Sequence, residues 1–171
     1  MAIERVAVIG AGTMGAGIAQ VCAQAGWKTA LFDAFPDGLE RGMQRIDAFW
    51  DKGIARGKTT AEQKEAWAAN LRAESDMQTA VQDADLVIEA VPEIPELKAS
   101  IFEQLDAMAP SHAILGTNTS SLSIASIANA TNRGDKVIGM HFFNPVPIME
   151  LLELVRHEGT SEETIAMAQA A

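Results

Sequence analysis

Short apolar runs alternate along the chain with longer segments whose apolar residues recur at helical spacing. Runs of this kind, bounded by glycine, aspartate or proline, are typical of buried parallel strands, and the segments between them are typical of helices. The apolar runs predict strands over residues 6–9, 29–32, 86–88, 113–115, 136–140 and 151–155. The intervening pattern predicts helices over residues 14–25 and 96–108, two within residues 37–71, and a short one before residue 86.

The order of these elements predicts the fold class. A β-α-β unit, a long helical stretch, a second β-α-β unit and a further strand are typical of a doubly wound α/β protein. We therefore predict a Rossmann-like, doubly wound, mostly parallel sheet with a helical pair inserted after the second strand. Thr60 and Gln63 are spaced as the capping box that would open the second helix of that pair. The length of 171 residues fits one domain, residues 1–171.

Composition narrows the possible functions. The single cysteine, Cys22, excludes an internal disulfide and a cysteine-rich zinc site, and we predict no metal. The chain has no tyrosine, which excludes any mechanism with a tyrosine acid or base. A net charge of −10 repels nucleic acid and anionic membranes. Residues 6–27 carry no charge, but glycines and polar residues interrupt them, so we predict a cytoplasmic protein without a signal peptide or membrane span.

The first predicted strand runs into a glycine-rich motif that is typical of dinucleotide sites. In Gly10-Ala11-Gly12-Thr13-Met14-Gly15 the first glycine allows a tight turn, the second the approach of a pyrophosphate, and the third close packing of the helix. Asp33 ends the next predicted strand, where a carboxylate accepts from the ribose hydroxyls and repels a 2′-phosphate. Ala34 and Phe35 follow instead of an arginine, so we expect NAD rather than NADP; the alternative is a glycine turn with a helix-capping aspartate. The candidate cofactor-binding residues here are Gly10, Gly12, Thr13, Met14, Gly15 and Asp33.

Two later motifs follow predicted strands at the carboxyl edge of the sheet, where such folds bind ligands. They are Asn118-Thr119-Ser120-Ser121-Leu122 and His141-Phe142-Phe143-Asn144-Pro145. His141 is well placed for a general base, because an imidazole with a pKa of about 6.5 gains and loses a proton near neutrality. Glu153 lies in an otherwise apolar run and needs a partner, for which His141 is the candidate. Spacing alone leaves open a satisfied core histidine and a glutamate at the solvent edge.

Together these motifs resemble one known family. GAGTMG, Asp33, IEAVPE at residues 88–93, NTSSL at 118–122 and HFFNPVP at 141–147 are similar to the L-3-hydroxyacyl-CoA dehydrogenases, which include 3-hydroxybutyryl-CoA dehydrogenases. The resemblance covers essentially the whole chain. It implies an NAD-dependent oxidoreductase that interconverts (S)-3-hydroxyacyl-CoA and 3-oxoacyl-CoA, such as acetoacetyl-CoA. Two alternatives remain, a non-catalytic NAD-binding module and a dehydrogenase of another small hydroxy acid.

The resemblance also implies roles for particular residues. His141 would take the proton of the 3-hydroxyl group, and Glu153 would orient and stabilise its imidazolium. Ser120 would contact both the 3-oxygen of the substrate and the nicotinamide side. Asp33 would hold the adenosine ribose. The other expected cofactor contacts are Glu93, Lys98 and Asn118, and the expected contacts with substrate or coenzyme A are Lys52, Arg56, Lys58, Ser120 and Asn144. For the three basic residues near position 56, a solvated basic face is the alternative.

In this family the subunit continues into a second, helical domain, which covers the acyl chain and forms the dimer. The chain ends at Ala171, inside a helix that would lead to such a domain. We therefore expect residues 1–171 to be the NAD-binding domain alone, with weak turnover by itself, and we expect a homodimer for the two-domain form.

Overall fold

The computed structural model describes residues 3–91, 94–118, 127–128, 130–142 and 152–155. One sheet lies at the centre of this part of the chain. Its strands are β1 (Arg5–Ile9), β2 (Lys28–Phe32), β3 (Leu71–Glu74), β4 (Leu86–Glu89), β5 (Ile114–Thr117), β6 (Val137–Phe142) and β7 (Leu152–Val155). The helices are α1 (Thr13–Gln24), α2 (Pro36–Ala55), α3 (Ala61–Ala68), α4 (Met77–Val81) and α5 (Pro95–Met108), and a 3-10 turn (Gly134–Lys136) precedes β6.

The strands follow the order β3-β2-β1-β4-β5-β6-β7 across the sheet. The first six in this order are parallel, and β7 runs antiparallel to β6. After β1 the chain adds strands first on one side and then on the other, so the order reverses between β1 and β4. Doubly wound folds bind ligands at this reversal, outside the carboxyl ends of the strands. The predicted fold class is therefore confirmed, and it places the expected site at the ends of β1, β2 and β4.

Helices cover both faces of the sheet because the central strands are apolar on both sides. Within β1, Val6 and Val8 pack into a cluster with α1 and α2, whereas Ala7 and Ile9 pack on the opposite face with α4 and α5. All four side chains are buried. This burial on two faces explains why the sequence of β1 is a continuous apolar run and not an alternating one.

The helical pair predicted after the second strand is present. Thr60 Oγ1 accepts a hydrogen bond from Gln63 N–H at 3.0 Å, and Gln63 Oε1 accepts one from Thr60 N–H at 2.9 Å, so the predicted capping box opens α3. Trp50 of α2 and Trp67 of α3 have ring centroids 5.8 Å apart. The Trp50 indole also donates to Gln24 of α1 at 2.9 Å, which holds the pair against the first helix.

One strand was not predicted from the sequence, and the predicted ends of β5 and β6 fall two residues short. The helical region was expected to reach residue 71, but Leu71–Glu74 forms β3, which pairs with β2 at the edge of the sheet. Its residues are exposed or half-buried, so it lacks the apolar run by which the inner strands were recognised. β5 and β6 extend to Thr117 and Phe142, beyond their predicted ends.

None of the helices in the described ranges is long and apolar enough to cross a membrane. Within the same ranges, no group of three or more histidine, cysteine, aspartate or glutamate residues could hold a metal ion. Burial raises the pKa of the Cys22 thiol to about 12, so this cysteine stays protonated and packs as a small apolar residue.

Candidate cofactor-binding site

The turn between β1 and α1 requires glycine at its first position. Gly10 has a φ of +107°, a conformation that other residues rarely adopt, and its N–H donates to Phe32 O of β2 at 2.8 Å. A Cβ at this position would lie 2.9 Å from Ala90 O, just beyond β4. The first glycine of the motif therefore serves both the turn and the close approach of the neighbouring strand.

The other two glycines of the motif have different surroundings. A Cβ at Gly15 would lie 1.6 Å from Gly10 O, so α1 packs directly on the loop. At Gly12 no described atom lies within 4 Å of a Cβ position, and the residue is exposed. Gly12 therefore leaves open backbone at the start of α1, whose first turn has no acidic residue and no capping side chain. The unpaired N–H groups of such a helix end suit an anionic group.

Asp33 directly follows β2, and its side chain links the loop after β1 to the start of α2. Its Oδ2 accepts a hydrogen bond from Ala11 N–H at 2.9 Å, and its Oδ1 accepts one from Phe35 N–H at 2.8 Å. Each carboxylate oxygen has a second lone pair, so the side chain can still accept hydrogen bonds from the hydroxyls of a ribose. The structure brings Asp33 and the glycine motif together, and the role of Asp33 towards a ribose stays a prediction.

A pocket of about 220 Å³ opens beside Asp33 and the loop. Its lining residues come from the loop, the end of β2 and one side of α2: Ala11, Gly12, Asp33, Phe35, Gly38, Arg41 and Arg45. The three residues of α2 were not predicted from the sequence. A Cβ at Gly42 would lie 2.7 Å from Ala11 O, so α2 packs against the loop at that point. Spacing along α2 puts these three residues on one side of the helix, but only the packing of α2 on the loop turns that side towards the pocket.

A buried ion pair lies where β4 and β5 end. Lys98 of α5 and Glu89 of β4 have fully buried side chains, with 3.2 Å between Nζ and Oε1. Thr117 Oγ1 donates to the same Glu89 oxygen at 2.6 Å, and Val91 N–H donates to Glu89 Oε2 at 2.7 Å. Lys98 Nζ also donates to Asn118 O at 3.2 Å. This network ties the carboxyl ends of two strands to α5.

The network has an electrostatic consequence. Burial raises the pKa of Glu89 above its ordinary value of 4.5, although the charge of Lys98 and the hydrogen bonds from Thr117 and Val91 act to lower it. Lys98 was expected to contact NAD, and the structure places its ammonium group inside this network. No role was predicted for Glu89 or Thr117, because the spacing of neither residue indicates its partner.

The two positions of the expected catalytic pair lie opposite each other in the register of the last two strands. In the antiparallel register of β6 and β7, His141 lies opposite Glu153. Residues directly opposite each other in an antiparallel pair share one face of the sheet. The structure therefore brings these two positions together, although they are distant in sequence.

The basic residues proposed to contact coenzyme A lie at the end of α2. Lys52, Arg56 and Lys58 are exposed, and in the described part of the chain none of them pairs with a carboxylate. Lys64 of α3, by contrast, pairs with Asp47 at 2.8 Å. Three basic side chains are therefore available to an anionic ligand at this place. Three other expected site residues lie outside the described residues: Glu93, Ser120 and Asn144.

Sequence comparisons give one consistent family. Residues 5–171 match the family model described as 3-hydroxyacyl-CoA dehydrogenase, NAD binding domain. A probable 3-hydroxybutyryl-CoA dehydrogenase of Bacillus subtilis is 42% identical over 164 residues, which make up 96% of this chain and 57% of that protein. The mitochondrial hydroxyacyl-coenzyme A dehydrogenase of Rattus norvegicus is 42% identical over 95% of this chain and 53% of its own length.

Solved structures agree with the sequence comparisons. The crystal structure of FadB2 from M. tuberculosis is similar with a TM-score of 0.96 and 39% identity, over 99% of this chain and 59% of that one. The (S)-3-hydroxybutyryl-CoA dehydrogenase of Ralstonia eutropha gives 0.95 and 38% over the same shares. The chain thus spans about half the length of the curated relatives described above. These matches confirm the predicted family and NAD as its cofactor. The chain belongs to the family of NAD-binding domains of 3-hydroxyacyl-CoA dehydrogenases.

Proposed function

We propose that the protein takes part, as an NAD-dependent oxidoreductase, in the interconversion of (S)-3-hydroxyacyl-CoA and 3-oxoacyl-CoA. The register of β6 and β7, which sets His141 opposite Glu153 near the carboxyl end of β6, is the observation that carries this proposal. The glycine motif follows the carboxyl end of β1, which is parallel to β6, so both features lie at one edge of the sheet. A module that only binds NAD needs no such pair. The names of the relatives support the acyl-CoA class of substrate.

The glycine motif and Asp33 fit NAD. The open backbone at Gly12 and the uncapped start of α1 would receive the pyrophosphate, because unpaired N–H groups and the helix dipole favour negative charge there. The Asp33 carboxylate would accept hydrogen bonds from the hydroxyls of the adenosine ribose. It would use the lone pairs that do not already accept from backbone amides. When bound, NAD supplies the group that accepts the hydride. We assign supporting contacts with it to Gly10, Thr13, Met14, Gly15, Glu93, Lys98 and Asn118.

His141 would act as the general base. Its imidazole would take the proton of the 3-hydroxyl group as a hydride leaves the same carbon. Glu153, opposite it in the strand register, would orient the ring and stabilise the imidazolium that forms. Ser120 would hold the 3-oxygen through a hydrogen bond. In the reverse direction, the imidazolium would return the proton to the 3-oxo group.

The coenzyme A part of the substrate would contact the end of α2. Lys52, Arg56 and Lys58 would attract its phosphates, because a local group of cations in a chain of net charge −10 favours an anionic ligand. Asn144 would be a polar contact for the substrate near His141. For a protein of the relatives' full length we propose a homodimer, and a cytoplasmic location stays a prediction.

The test of the proposed function is the oxidation of NADH by acetoacetyl-CoA. His141→Ala should lower kcat/KM by roughly 10²–10⁴ because it removes the general base, while the affinity for NADH stays unchanged. His112→Ala is the matched control, since His112 precedes β5 at the opposite edge of the sheet, where it contacts Asp85 at 2.8 Å. Near-normal turnover of His141→Ala would contradict the proposal, and so would NADH binding without turnover by a wild-type protein of the relatives' full length.

A further inference from the structure

Two arginines line the pocket beside Asp33. Arg41 and Arg45 lie four residues apart on α2, and both side chains are exposed on the pocket wall. Arg45 Nη1 donates to Thr13 Oγ1 at 3.2 Å. In the part of the chain that the structure describes, neither guanidinium forms an ion pair. Their positive charge is therefore available to a ligand in the pocket.

Neither arginine forms an ion pair with Asp33. Both oxygens of that carboxylate already accept hydrogen bonds from backbone amides, those of Ala11 and Phe35. The chain as a whole carries a net charge of −10, whereas this pocket wall carries two cations that form no ion pair with any described residue. Guanidinium groups placed in this way suit phosphate, which they bind through charge-assisted hydrogen bonds.

The position of the arginines indicates which phosphate they would meet. The pocket extends from Gly12 to Asp33, where the adenosine ribose is expected. Gly38 lies on the side of α2 that faces Asp33, because a Cβ at this position would be 3.4 Å from the carboxyl carbon of Asp33. Arg41 follows Gly38 by three residues, on the same side of the helix. A phosphate on the 2′-oxygen of this ribose would enter the space between Asp33 and Arg41.

We propose that Arg41 and Arg45 form a subsite for the 2′-phosphate of NADP, so that the protein also binds NADPH. In dinucleotide folds an arginine near the ribose accommodates this phosphate, whereas an acidic residue disfavours it. The pocket holds both kinds of residue, with Asp33 favouring NADH and the arginines reducing the penalty for NADPH. This inference rests on the dinucleotide site of the proposed function, and it concerns the choice of cofactor only.

Loss of the Asp33 charge alone should therefore reverse the preference for NADH over NADPH. Asp33→Asn keeps an acceptor oxygen for the ribose but removes the charge that repels a phosphate. Because the cations of the subsite are already present, this single change should make NADPH the more tightly bound cofactor. Without the arginines, the same change should make the affinities for NADH and NADPH similar, but it should not make NADPH the more tightly bound cofactor.

The experiment measures the dissociation constants of NADH and NADPH for four variants and the wild type. Arg41→Gln/Arg45→Gln should weaken NADPH binding by about 10–100-fold, at roughly tenfold per lost charged hydrogen bond, and should change NADH binding by less than about threefold. Asp33→Asn should bind NADPH more tightly than NADH, and the triple variant should lose that preference. Arg72→Gln is the control, because this exposed arginine of β3 pairs with Glu74, away from the pocket.

Other results would overturn the proposal. An equal weakening of both cofactors by Arg41→Gln/Arg45→Gln would assign the arginines to the pyrophosphate and not to a 2′-phosphate. An Asp33→Asn variant that still prefers NADH would show that the arginines supply no subsite. Absence of NADH binding by the wild type would overturn the dinucleotide site itself and the subsite with it, so that failure is distinguishable from the other two.

Discussion

Glu89 and Lys98 form an ion pair whose side chains have no exposed surface. Such a pair adds little net stability, since the cost of desolvating both charges offsets their attraction, but removal of one partner leaves the other uncompensated. Burial raises the pKa of Glu89, and the charge of Lys98 is the strongest of the interactions that lower it. The ionised state of this carboxylate at the end of β4 therefore depends on Lys98.

Lys98→Met should raise the pKa of Glu89 further, because the cation is lost while the burial remains. A carboxyl group with a raised pKa binds its proton more tightly in the folded protein than in the unfolded chain. Its contribution to stability is therefore present at low pH and is lost as the pH rises above its ordinary pKa of 4.5. We expect the free energy of unfolding to fall by about 3–5 kcal/mol at pH 8 and by less at pH 5.

Urea denaturation at the two pH values measures this effect. The double variant Glu89→Gln/Lys98→Met is the control, because it has no carboxyl group to titrate at this place. Its stability relative to the wild type should vary less with pH than that of Lys98→Met. If Lys98→Met lost the same free energy of unfolding at pH 5 and at pH 8, protonation of Glu89 would not stabilise the variant.

Local signals reveal some residues of the site and not others. Gly10 and Asp33 each follow an apolar run directly, at the point where a strand must turn or end. The neighbouring residues were therefore enough to predict the place of both in the site. Arg41 and Arg45 are ordinary surface residues of an amphipathic helix until α2 packs on the loop at Ala11. Their place in the pocket depends on tertiary packing, which residue spacing alone does not specify.

At the scale of elements, the loop after β1 and helix α1 form one unit. Gly15→Ala would put a Cβ 1.6 Å from Gly10 O, so the backbone of the loop or the helix must move. We expect a loss of stability of about 3 kcal/mol, at the upper end of overpacking effects, together with loss of NADH binding. Thermal unfolding and NADH titration measure the two effects.

Gly12→Ala is the matched control within the same motif. Its Cβ would meet no described atom within 4 Å, and its φ of −70° suits alanine. Stability should change by about 1 kcal/mol or less, whereas NADH affinity should fall, because the methyl group lies where the pyrophosphate approaches. If both variants lost the same stability, packing of α1 on the loop would not be the role of Gly15.

The sequence predicted the inner elements of the fold better than the edges. β1 and β4 are buried on both faces, and strands of this kind have continuous apolar sequences that predict them. β3 is half-exposed and is a strand because it pairs with β2, a long-range contact without a local signature. The register of β6 with β7, which sets His141 opposite Glu153, depends in the same way on pairing.

At the scale of the whole molecule, two apolar clusters lie on opposite faces of one sheet. Val8 and Ile88 belong to the cluster with α1 and α2, while Ile9 and Val87, their neighbours in the same strands, belong to the cluster with α4 and α5. Because the same strands carry both clusters, neither face can lose its packing without disturbing the other. We therefore expect unfolding in a single transition.

Phe102 of α5 tests this coupling, because it is buried in the second cluster while Trp50 and the other tryptophans pack in the first. Phe102→Ala should lower the free energy of unfolding by about 3–5 kcal/mol through the cavity it leaves. Far-UV circular dichroism and tryptophan fluorescence should still report one coincident transition, shifted equally for both probes. Phe49→Ala, at an exposed position of α2, should cost less than about 1 kcal/mol. A fluorescence transition that stays in place while the dichroism transition shifts would mean that the two faces unfold independently.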